Sequence, residues 1–265
     1  MRERKAVSPP FSVVLVNYKT YELTRVCLEL LREPARQIGF TVWVIDNNSG
    51  DETTAYLRSL DWIRLIERMP PANEAGFLAH GRALDLALDQ ATTEYLFLLH
   101  TDTFVHNPAI FKLMLDQCQK KKVIAVGCLE QIYRGELGIY WRIVSRFLKH
   151  YARRARIAFG LKSRQPKPYL ERYIKSFCAL WNIKVMKEHG WRFEMGDANP
   201  SYVMQDRAIE AGYTIGKLAP RRVFKYLDHV ESGTVSGSGH NKRQRRIESY
   251  NLLLAQYQKK INLSE

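Results

Sequence analysis

Short apolar runs alternate with amphipathic segments through the first half of the chain. The runs at residues 11–17, 40–45 and 95–99 are rich in β-branched and aromatic side chains, which is typical of strands buried on both faces. Apolar residues recur at steps of three and four over residues 20–32 and 74–92, and this spacing predicts helices. Strands separated by helices of this length indicate βαβ units. We therefore predict an α/β fold with a mostly parallel central sheet flanked by helices.

Local signals add shorter elements and helix starts. Residues 62–67 and 123–128 are predicted to form two further strands, and residues 107–120 a helix. The first helix is expected to begin after Thr20 as its N-cap, and the helix that follows the second strand after Ser49 or Asp51.

Polar side chains follow three of the predicted strands at the points where those strands end. These residues are Asn17 after the first strand, Asp46 and Asn48 after the second, and His100, Thr101 and Asp102 after the run at 95–99. In parallel sheets, ligands bind at the carboxyl ends of the strands. Taken singly, each of these residues is better explained as an ordinary turn residue. Their occurrence after three strands favours one polar crevice.

Composition excludes several classes of protein. The chain has 265 residues, 46% of them hydrophobic and 26% charged, which excludes a disordered tail protein. Its apolar runs are shorter than the roughly 20 residues that a bilayer requires, and the first ten residues carry no apolar core of a signal peptide. The four cysteines form no CxxC pair, so we expect reduced core thiols in a cytosolic protein.

The net charge of +14 is unevenly distributed. Residues 1–130 hold 15 Lys/Arg and 16 Asp/Glu, whereas residues 131–265 hold 26 and 11. The excess in the second half predicts contact with something anionic, either a phosphate-bearing substrate, a lipid surface or a nucleic acid. No nucleic-acid recognition motif is evident, so we expect no nucleic-acid partner.

Residues 141–159 carry much of this positive charge. Aromatic and aliphatic side chains recur there at helical steps, with arginine and lysine at most of the remaining positions. Such a basic amphipathic helix can lie in a membrane interface and attract anionic lipid. It can equally pack its apolar side on the domain and leave a solvated basic face. Both interpretations remain open at the level of sequence.

Four ordered segments together resemble family-2 glycosyltransferases of the GT-A fold, and most of all their rhamnosyltransferase-like branch. The segments are VVLVNYKT at 13–20, VIDNNSGD at 44–51, NEAGF at 73–77 and FLLHTDTFV at 97–105. The resemblance is strong over residues 11–130 and weaker over 176–235. It implies a Rossmann-like nucleotide-diphospho-sugar transferase. Residues 1–130 would be its donor half, 131–240 its acceptor half with the basic insertion, and 241–265 a C-terminal helix.

The resemblance also implies roles for the crevice residues. Asp46 would bind the nucleobase of a nucleotide sugar, with Asn17, Asn48 and Thr101 lining the same pocket. Asp102 would hold a divalent metal, Mn²⁺ or Mg²⁺, that bridges the donor diphosphate. His100 stands where relatives carry the first acid of the Asp-x-Asp motif. A metal-independent enzyme that uses lysine and arginine therefore stays open.

Further residues gain candidate roles in the same way. His229 would contact the metal or the phosphates. Arg82 would reach the donor phosphates, or is simply an exposed helix arginine. Asp206 would be the base that deprotonates the acceptor hydroxyl, although it is also explained as charge at a helix N-terminus. Glu194 and Asp197 are the alternatives as base, since Gln205 stands where relatives carry Glu.

The resulting expectation is an inverting glycosyltransferase. It would move a hexosyl or deoxyhexosyl group from a nucleotide sugar to a glycan or lipid-linked glycan in cell-surface polysaccharide assembly. It would act in the cytoplasm, and peripheral attachment to the inner face of the membrane stays open. The alternative is a catalytically degenerate GT-A-fold protein that binds a membrane surface or an anionic polymer.

Overall fold

The computed structural model describes residues 10–71, 74, 76–196, 200–230 and 244–262. Within these ranges the strands are β1 (Phe11–Asn17), β2 (Val42–Asp46), β3 (Arg64–Glu67), β4 (Tyr95–His100), β5 (Thr103–Val105), β6 (Val123–Cys128), β7 (Cys178–Asn182), β8 (Thr214–Leu218) and β9 (Leu227–His229). The helices are α1 (Tyr21–Ile38), α2 (Glu52–Arg58), α3 (Gly76–Gln90), α4 (Ala109–Cys118), α5 (Gly135–Ala158), α6 (Ile183–Glu188), α7 (Pro200–Glu210), α8 (Pro220–Val223) and α9 (Gln244–Asn262).

Seven strands form one sheet in the order β3-β2-β1-β4-β7-β6-β8. β7 runs antiparallel to both β4 and β6, and every other pair in this sheet is parallel. The predicted mostly parallel sheet is confirmed. Because β1 lies between β2 and β4, the ends of these three strands meet at one edge.

Helices cover both faces of the sheet, as the apolar strand sequences require. On β1, Val13 and Leu15 point into a core formed with α1, α2, α4 and α9. Val14 points the other way, into a core formed with α3, α6 and α7. A strand that is buried on both faces has apolar residues at consecutive positions, and this pattern made these strands recognisable in the sequence.

Asp51 and Thr20 stand at the N-cap positions of α2 and α1. Asp51 caps α2 by accepting a hydrogen bond from the backbone N–H of Thr53 at 2.9 Å. Of the two predicted caps, Ser49 and Asp51, Asp51 is therefore the one observed. Thr20 is the N-cap residue of α1, as expected, although its side chain makes no cap hydrogen bond. Its hydroxyl instead donates to the side-chain carbonyl of Asn17 at 3.0 Å.

A small second sheet pairs β5 with β9 in antiparallel register, Thr103 opposite His229. The backbone N–H of Val230 donates to the carbonyl oxygen of Asp102 at 2.9 Å and extends this contact by one residue. The two strands have three residues each, too few to show a period in the sequence. Their pairing brings the second half of the chain onto the end of β4.

α5 corrects one interpretation of the basic segment. None of its residues is buried. Leu137 and Trp141 are 86% and 71% exposed, so this side of the helix does not pack on the domain. Arg142 and Arg146 face Glu130 of the domain instead. The part of the apolar side that carries Leu137, Trp141 and Leu148 therefore faces solvent, and part of the basic side faces the protein.

Two further expectations concern compartment and membrane. All four cysteines are free and buried, as expected of core thiols. Among the described residues, no helix has the length and apolar character needed to cross a bilayer.

Candidate metal and nucleotide site

A buried polar network joins the ends of β1 and β2. The side-chain amide of Asn17 donates to Oδ1 of Asp46 at 2.8 Å and to the hydroxyl of Ser49 at 3.0 Å. Ser49 also donates to Oδ1 of Asp46, and Thr54 donates to Oδ2 at 2.7 Å. Both oxygens of Asp46 are thus engaged from within the protein. Asn17 and Asp46 meet as predicted, and they rigidify the loop that carries Asn47 and Asn48.

The network continues to the end of β4. The hydroxyl of Thr20 lies 3.3 Å from the hydroxyl of Thr101, and Thr24 donates to the side-chain carbonyl of Asn17 at 2.7 Å. Asn17, Thr20 and Thr101 are all buried. The three strand ends therefore form one connected polar edge.

A cavity of about 540 Å³ opens over this edge. Asn48, His100 and Thr101 line it, together with Val16, Tyr18, Lys19, Asn47, Pro70, Pro71, Glu74, Gly76, Ala79 and His80. Asn17 and Asp46 are not among the lining residues, because they lie beneath the floor. A volume of this size suits a nucleotide-sized ligand.

An ion cluster forms one wall of the cavity. The buried carboxylate of Glu74 pairs with Arg68 and accepts a hydrogen bond from Arg82 at 2.6 Å. Burial disfavours the charged carboxylate, but the hydrogen bonds from the two arginines outweigh it and hold the pKa of Glu74 below its usual value. Arg68 also donates to the side-chain carbonyl of Asn47 at 2.8 Å. Arg82 does not line the cavity, and its Nε lies 3.5 Å from Glu194.

Three side chains that can ligate a metal converge beside the same cavity. One ligand atom from each of His100, Asp102 and His229 lies within 4.8 Å of the others. Nε2 of His229 is 3.2 Å from Oδ1 of Asp102, and Nδ1 of His100 is 3.8 Å from the same oxygen. His229 reaches this position through the β5–β9 pairing.

The hydrogen bonds of His229 suit a metal ligand. Its Nδ1 lies 2.9 Å from the backbone carbonyl oxygen of Gln131 and therefore carries a proton that it donates. In the neutral ring, Nε2 then presents a lone pair to the carboxylate of Asp102. Two acceptors that face each other are stabilised by a cation, and imidazole and carboxylate are ligands that Mn²⁺ accepts. These residues fit a divalent metal.

His100 is a neutral imidazole in this environment. Desolvation lowers the pKa of His100 to about 3, although Asp102 acts in the opposite direction. Its Nε2 lies 3.0 Å from the hydroxyl of Ser176, and a proton on Nε2 leaves the lone pair of Nδ1 facing Asp102. Burial also lowers the pKa of the neighbouring His80, to about 4. Both imidazoles are therefore uncharged at neutral pH.

A second cavity of about 360 Å³ adjoins the first and shares Gly76, His80 and His100 with it. Its floor is apolar, formed by Leu84, Leu98, Trp181 and Phe193. Gln131, Ser176 and Ser201 add polar groups at its edge. The two cavities together surround His100.

The candidate bases lie outside these two cavities. Asp206 accepts a hydrogen bond from the Tyr173 hydroxyl at 2.7 Å and lies 3.3 Å from Arg172. Gln205 is buried and binds the backbone of Ile174 in both directions, so its role is structural. Glu194 follows Phe193 of the second cavity. Asp197 lies outside the described residues, as does Asn73 of the NEAGF segment.

Sequence reasoning missed several residues of this region. Arg68 follows β3 at the same edge as the residues that were identified, so the rule for strand ends applied to it as well. Gln131 and Ser176 orient the two histidines through long-range contacts. No local pattern marks such contacts.

Several solved structures have a fold similar to that of this chain. The mannosyltransferase PcManGT from Pyrobaculum calidifontis, solved with GDP-Man and Mn²⁺, has a TM-score of 0.55 at 16% identity, over 81% of this chain and 56% of its own. TarS from S. aureus (residues 1–349) has a TM-score of 0.53 at 16% identity, over 86% and 62%.

A third similar structure is glucosyl-3-phosphoglycerate synthase from Mycobacterium tuberculosis with Mn²⁺, UDP and phosphoglyceric acid. It has a TM-score of 0.51 at 13% identity, over 88% of this chain and 79% of its own. The chain spans just over half the length of the mannosyltransferase. At these identities the likeness shows the fold, which is GT-A.

Among curated proteins, none matches the chain significantly. The model of the family "Glycosyl transferase family 2" matches residues 12–188, more than half of the chain. This match includes β1–β4, the polar edge and Asp102. The chain belongs to glycosyl transferase family 2.

Proposed function

We propose that this protein is an inverting glycosyltransferase that moves a hexosyl or deoxyhexosyl group from a nucleotide sugar to a glycan or lipid-linked glycan. The observation that carries the proposal is the cluster of His100, Asp102 and His229 beside a nucleotide-sized cavity. Membership of the rhamnosyltransferase-like branch, and a role in cell-surface polysaccharide assembly, are parts of this proposal.

In the proposed complex the nucleotide sugar occupies the 540 Å³ cavity. Asn48, Thr101 and His100 contact it directly, and Lys19 at the rim offers a positive charge to its phosphates. Asp46 and Asn17 act from beneath, because their hydrogen bonds fix the loop that carries Asn48. Arg82 contributes through Glu74, which it helps to hold in the cavity wall.

Asp102 and His229 are the proposed ligands of Mn²⁺ or Mg²⁺, with His100 as a third. When bound, such a cation neutralises the charge that grows on the departing nucleoside diphosphate. The Gln131 carbonyl fixes the ring of His229, and the Ser176 hydroxyl fixes that of His100. These contacts hold the ligand atoms in place before the donor arrives.

Asp206 is the proposed base that takes the proton of the acceptor hydroxyl. Inversion by single displacement needs one carboxylate on the acceptor side of the sugar. Tyr173 and Arg172 both contact Asp206, and both line a further cavity on the acceptor half of the protein. The two partners of this carboxylate thus border a space that an acceptor can enter. Glu194 is the alternative.

We further propose that α5 places the enzyme on the cytoplasmic face of an anionic membrane. Leu137, Trp141 and Leu148 expose a continuous apolar stripe at helical spacing. Arg154 and Arg156, near the C-terminal end of the same helix, are exposed and offer positive charge to acidic headgroups. An apolar stripe flanked by basic residues is the pattern of an interfacial helix.

The proposal is tested by incubating the protein and Mn²⁺ with a panel of UDP-, GDP- and dTDP-sugars and candidate glycan acceptors. We expect one donor to release its nucleoside diphosphate and to yield a glycosylated acceptor of inverted configuration. The Asp102→Asn variant should be inactive, and the Asp116→Asn variant, altered on the exposed side of α4, should match the wild type. Nucleotide binding without turnover would favour the degenerate alternative.

A further inference from the structure

The basic side of α5 faces a third cavity, of about 560 Å³. Arg142, Arg146, Lys149 and Arg153 recur at steps of three and four and line one wall of it. The segment at residues 167–175 forms the opposite wall. The exposed apolar stripe lies on the other side of the same helix.

Positive charge dominates this cavity. Its lining includes seven Lys/Arg side chains and two carboxylates, Glu130 and Glu171. The carboxylates are already shared: Glu130 lies 2.8 Å from Arg142 and 3.4 Å from Arg146, and Glu171 lies 3.2 Å from Lys175. Within the described part of the chain, Lys149, Arg153 and Lys167 form no ion pair. The cavity therefore has more positively than negatively charged side chains, and it attracts an anion.

The cavity adjoins the candidate catalytic region. Gln131 lines it, lines the 360 Å³ cavity and accepts the hydrogen bond from His229. Lys175 and Tyr202 line the basic cavity. Their neighbours in sequence, Ser176 and Ser201, line the 360 Å³ cavity. A molecule bound in the basic cavity thus lies one wall away from His100.

We propose that this basic cavity binds a phosphate or pyrophosphate group carried by the acceptor. This inference rests on the proposed function, because the protein binds an acceptor only if it transfers a glycosyl group. Guanidinium groups match phosphate with paired hydrogen bonds, and lysine adds point charge. In the proposed function the donor diphosphate binds beside Asp102. A second anion site, on the acceptor half, therefore suits an anionic group of the acceptor. A soluble sugar phosphate and a lipid-linked phosphate share this chemistry.

The probe for the site is inorganic pyrophosphate, titrated calorimetrically in metal-free buffer at fixed ionic strength. The variant Lys149→Gln/Arg153→Gln removes two cavity charges at exposed or half-exposed positions. Removing each charge-assisted hydrogen bond should weaken binding about tenfold. The control Lys162→Gln/Arg164→Gln removes the same charge at exposed positions outside the cavity lining. It should bind within about twofold of the wild type, since it leaves the cavity lining intact.

Two results would overturn the proposal. Equal weakening in the control pair would mean a diffuse charge effect, and loss of pyrophosphate binding in Asp102→Asn alone would place the anion in the donor site. Circular dichroism verifies that each variant is folded. If the first pair is not, Lys149→Gln/Lys167→Gln replaces it, because Lys167 is exposed in a segment without regular structure.

A separate titration with nucleoside diphosphate and Mn²⁺ distinguishes this proposal from the proposed function. Lys149→Gln/Arg153→Gln should leave that binding unchanged. Failure of the wild type to bind any nucleotide would refute the donor site, whereas weaker pyrophosphate binding in Lys149→Gln/Arg153→Gln bears on the basic cavity.

Competition for pyrophosphate then identifies the source of the phosphate. The competitors are a hexose 1-phosphate and phosphatidylcholine vesicles that contain a long-chain polyprenyl phosphate, with plain phosphatidylcholine vesicles as control. Displacement by either phosphate compound supports the proposal and names the source. Displacement by neither contradicts it.

Discussion

Nε2 of His229 lies 3.2 Å from Oδ1 of Asp102, although the two residues come from opposite halves of the chain. The pairing of β5 with β9 produces this contact, and the Gln131 carbonyl sets which nitrogen of His229 is protonated. A carboxylate and an imidazole nitrogen held this close are stabilised by positive charge, supplied either by a proton on the ring or by a cation bound to both groups. The contact therefore supports the proposed role of Asp102 and His229 as ligands of one divalent metal.

The substitution His100→Asp places a second carboxylate beside Asp102. We expect it to tighten Mn²⁺ binding about tenfold, because added ligand charge raises cation affinity. His100→Asn, which adds no charge, is the matched variant and should weaken binding. Mn²⁺ titration followed by electron paramagnetic resonance measures both. Equal affinities in the two variants would place His100 outside the coordination sphere.

Gln205→Glu tests whether Gln205 replaces a catalytic acid or is a structural residue. Its amide donates to the carbonyl oxygens of Ile174 at 3.1 Å and Ser201 at 2.8 Å, and a carboxylate would face both with no proton to give. We expect a decrease of about 1–3 kcal/mol in the free energy of unfolding, measured in urea.

Gln119→Glu, at an exposed position after α4, is the control for charge alone and should stay within about 0.5 kcal/mol of the wild type. A Gln205→Glu protein of normal stability and raised activity would reverse the assignment of Gln205.

Asp206→Asn should lower kcat for transfer by a factor of about 10² to 10⁴ and leave donor affinity unchanged, because it removes the general base and does not alter the donor cavity. Glu210→Gln, exposed on the same helix, should have no effect. Steady-state kinetics with the donor found in the panel measure the change. A larger decrease in Glu194→Gln than in Asp206→Asn would move the role of base to Glu194.

The apolar stripe of α5 should govern binding to vesicles that contain phosphatidylglycerol. Trp141→Glu/Leu148→Glu places charge on the stripe, and we expect at least about tenfold weaker co-sedimentation, since interfacial binding scales with buried apolar area. Met69→Glu/Leu252→Glu alters two other exposed apolar residues and serves as the control. Equal weakening in both variants would show that binding depends on net charge and not on α5.

The sequence predicted the first half of the sheet well because its strands are buried on both faces. Continuous apolar runs marked β1, β2 and β4, and the polar residues after them meet as expected. Sequence reasoning did not show that Asp46 would have both oxygens engaged beneath the cavity. Its partners Ser49 and Thr54 are ordinary residues of a loop and a helix.

The second half was harder to predict for two physical reasons. β5 and β9 are too short to show a period, so the contact between Asp102 and His229 rested on resemblance alone. Helical spacing in α5 identified an apolar side and a basic side, but not which side meets the domain. Glu130, at the end of β6, pairs with Arg142 and turns the basic side inward, and this pairing is a long-range contact.

Metal-dependent nucleotide binding tests the central claim most directly. Thermal unfolding should be followed with UDP, GDP, dTDP, CMP and ADP, each with and without Mn²⁺, for the wild type, Asp102→Asn and His229→Gln. A nucleotide at about 100 times its Kd stabilises a protein by about 2.7 kcal/mol. We expect one nucleoside diphosphate to raise the Tm of the wild type only with Mn²⁺, and neither variant to respond, whereas a His106→Gln control at an exposed site responds normally. A Tm increase that is independent of Mn²⁺, or that persists in Asp102→Asn and His229→Gln, would contradict the account.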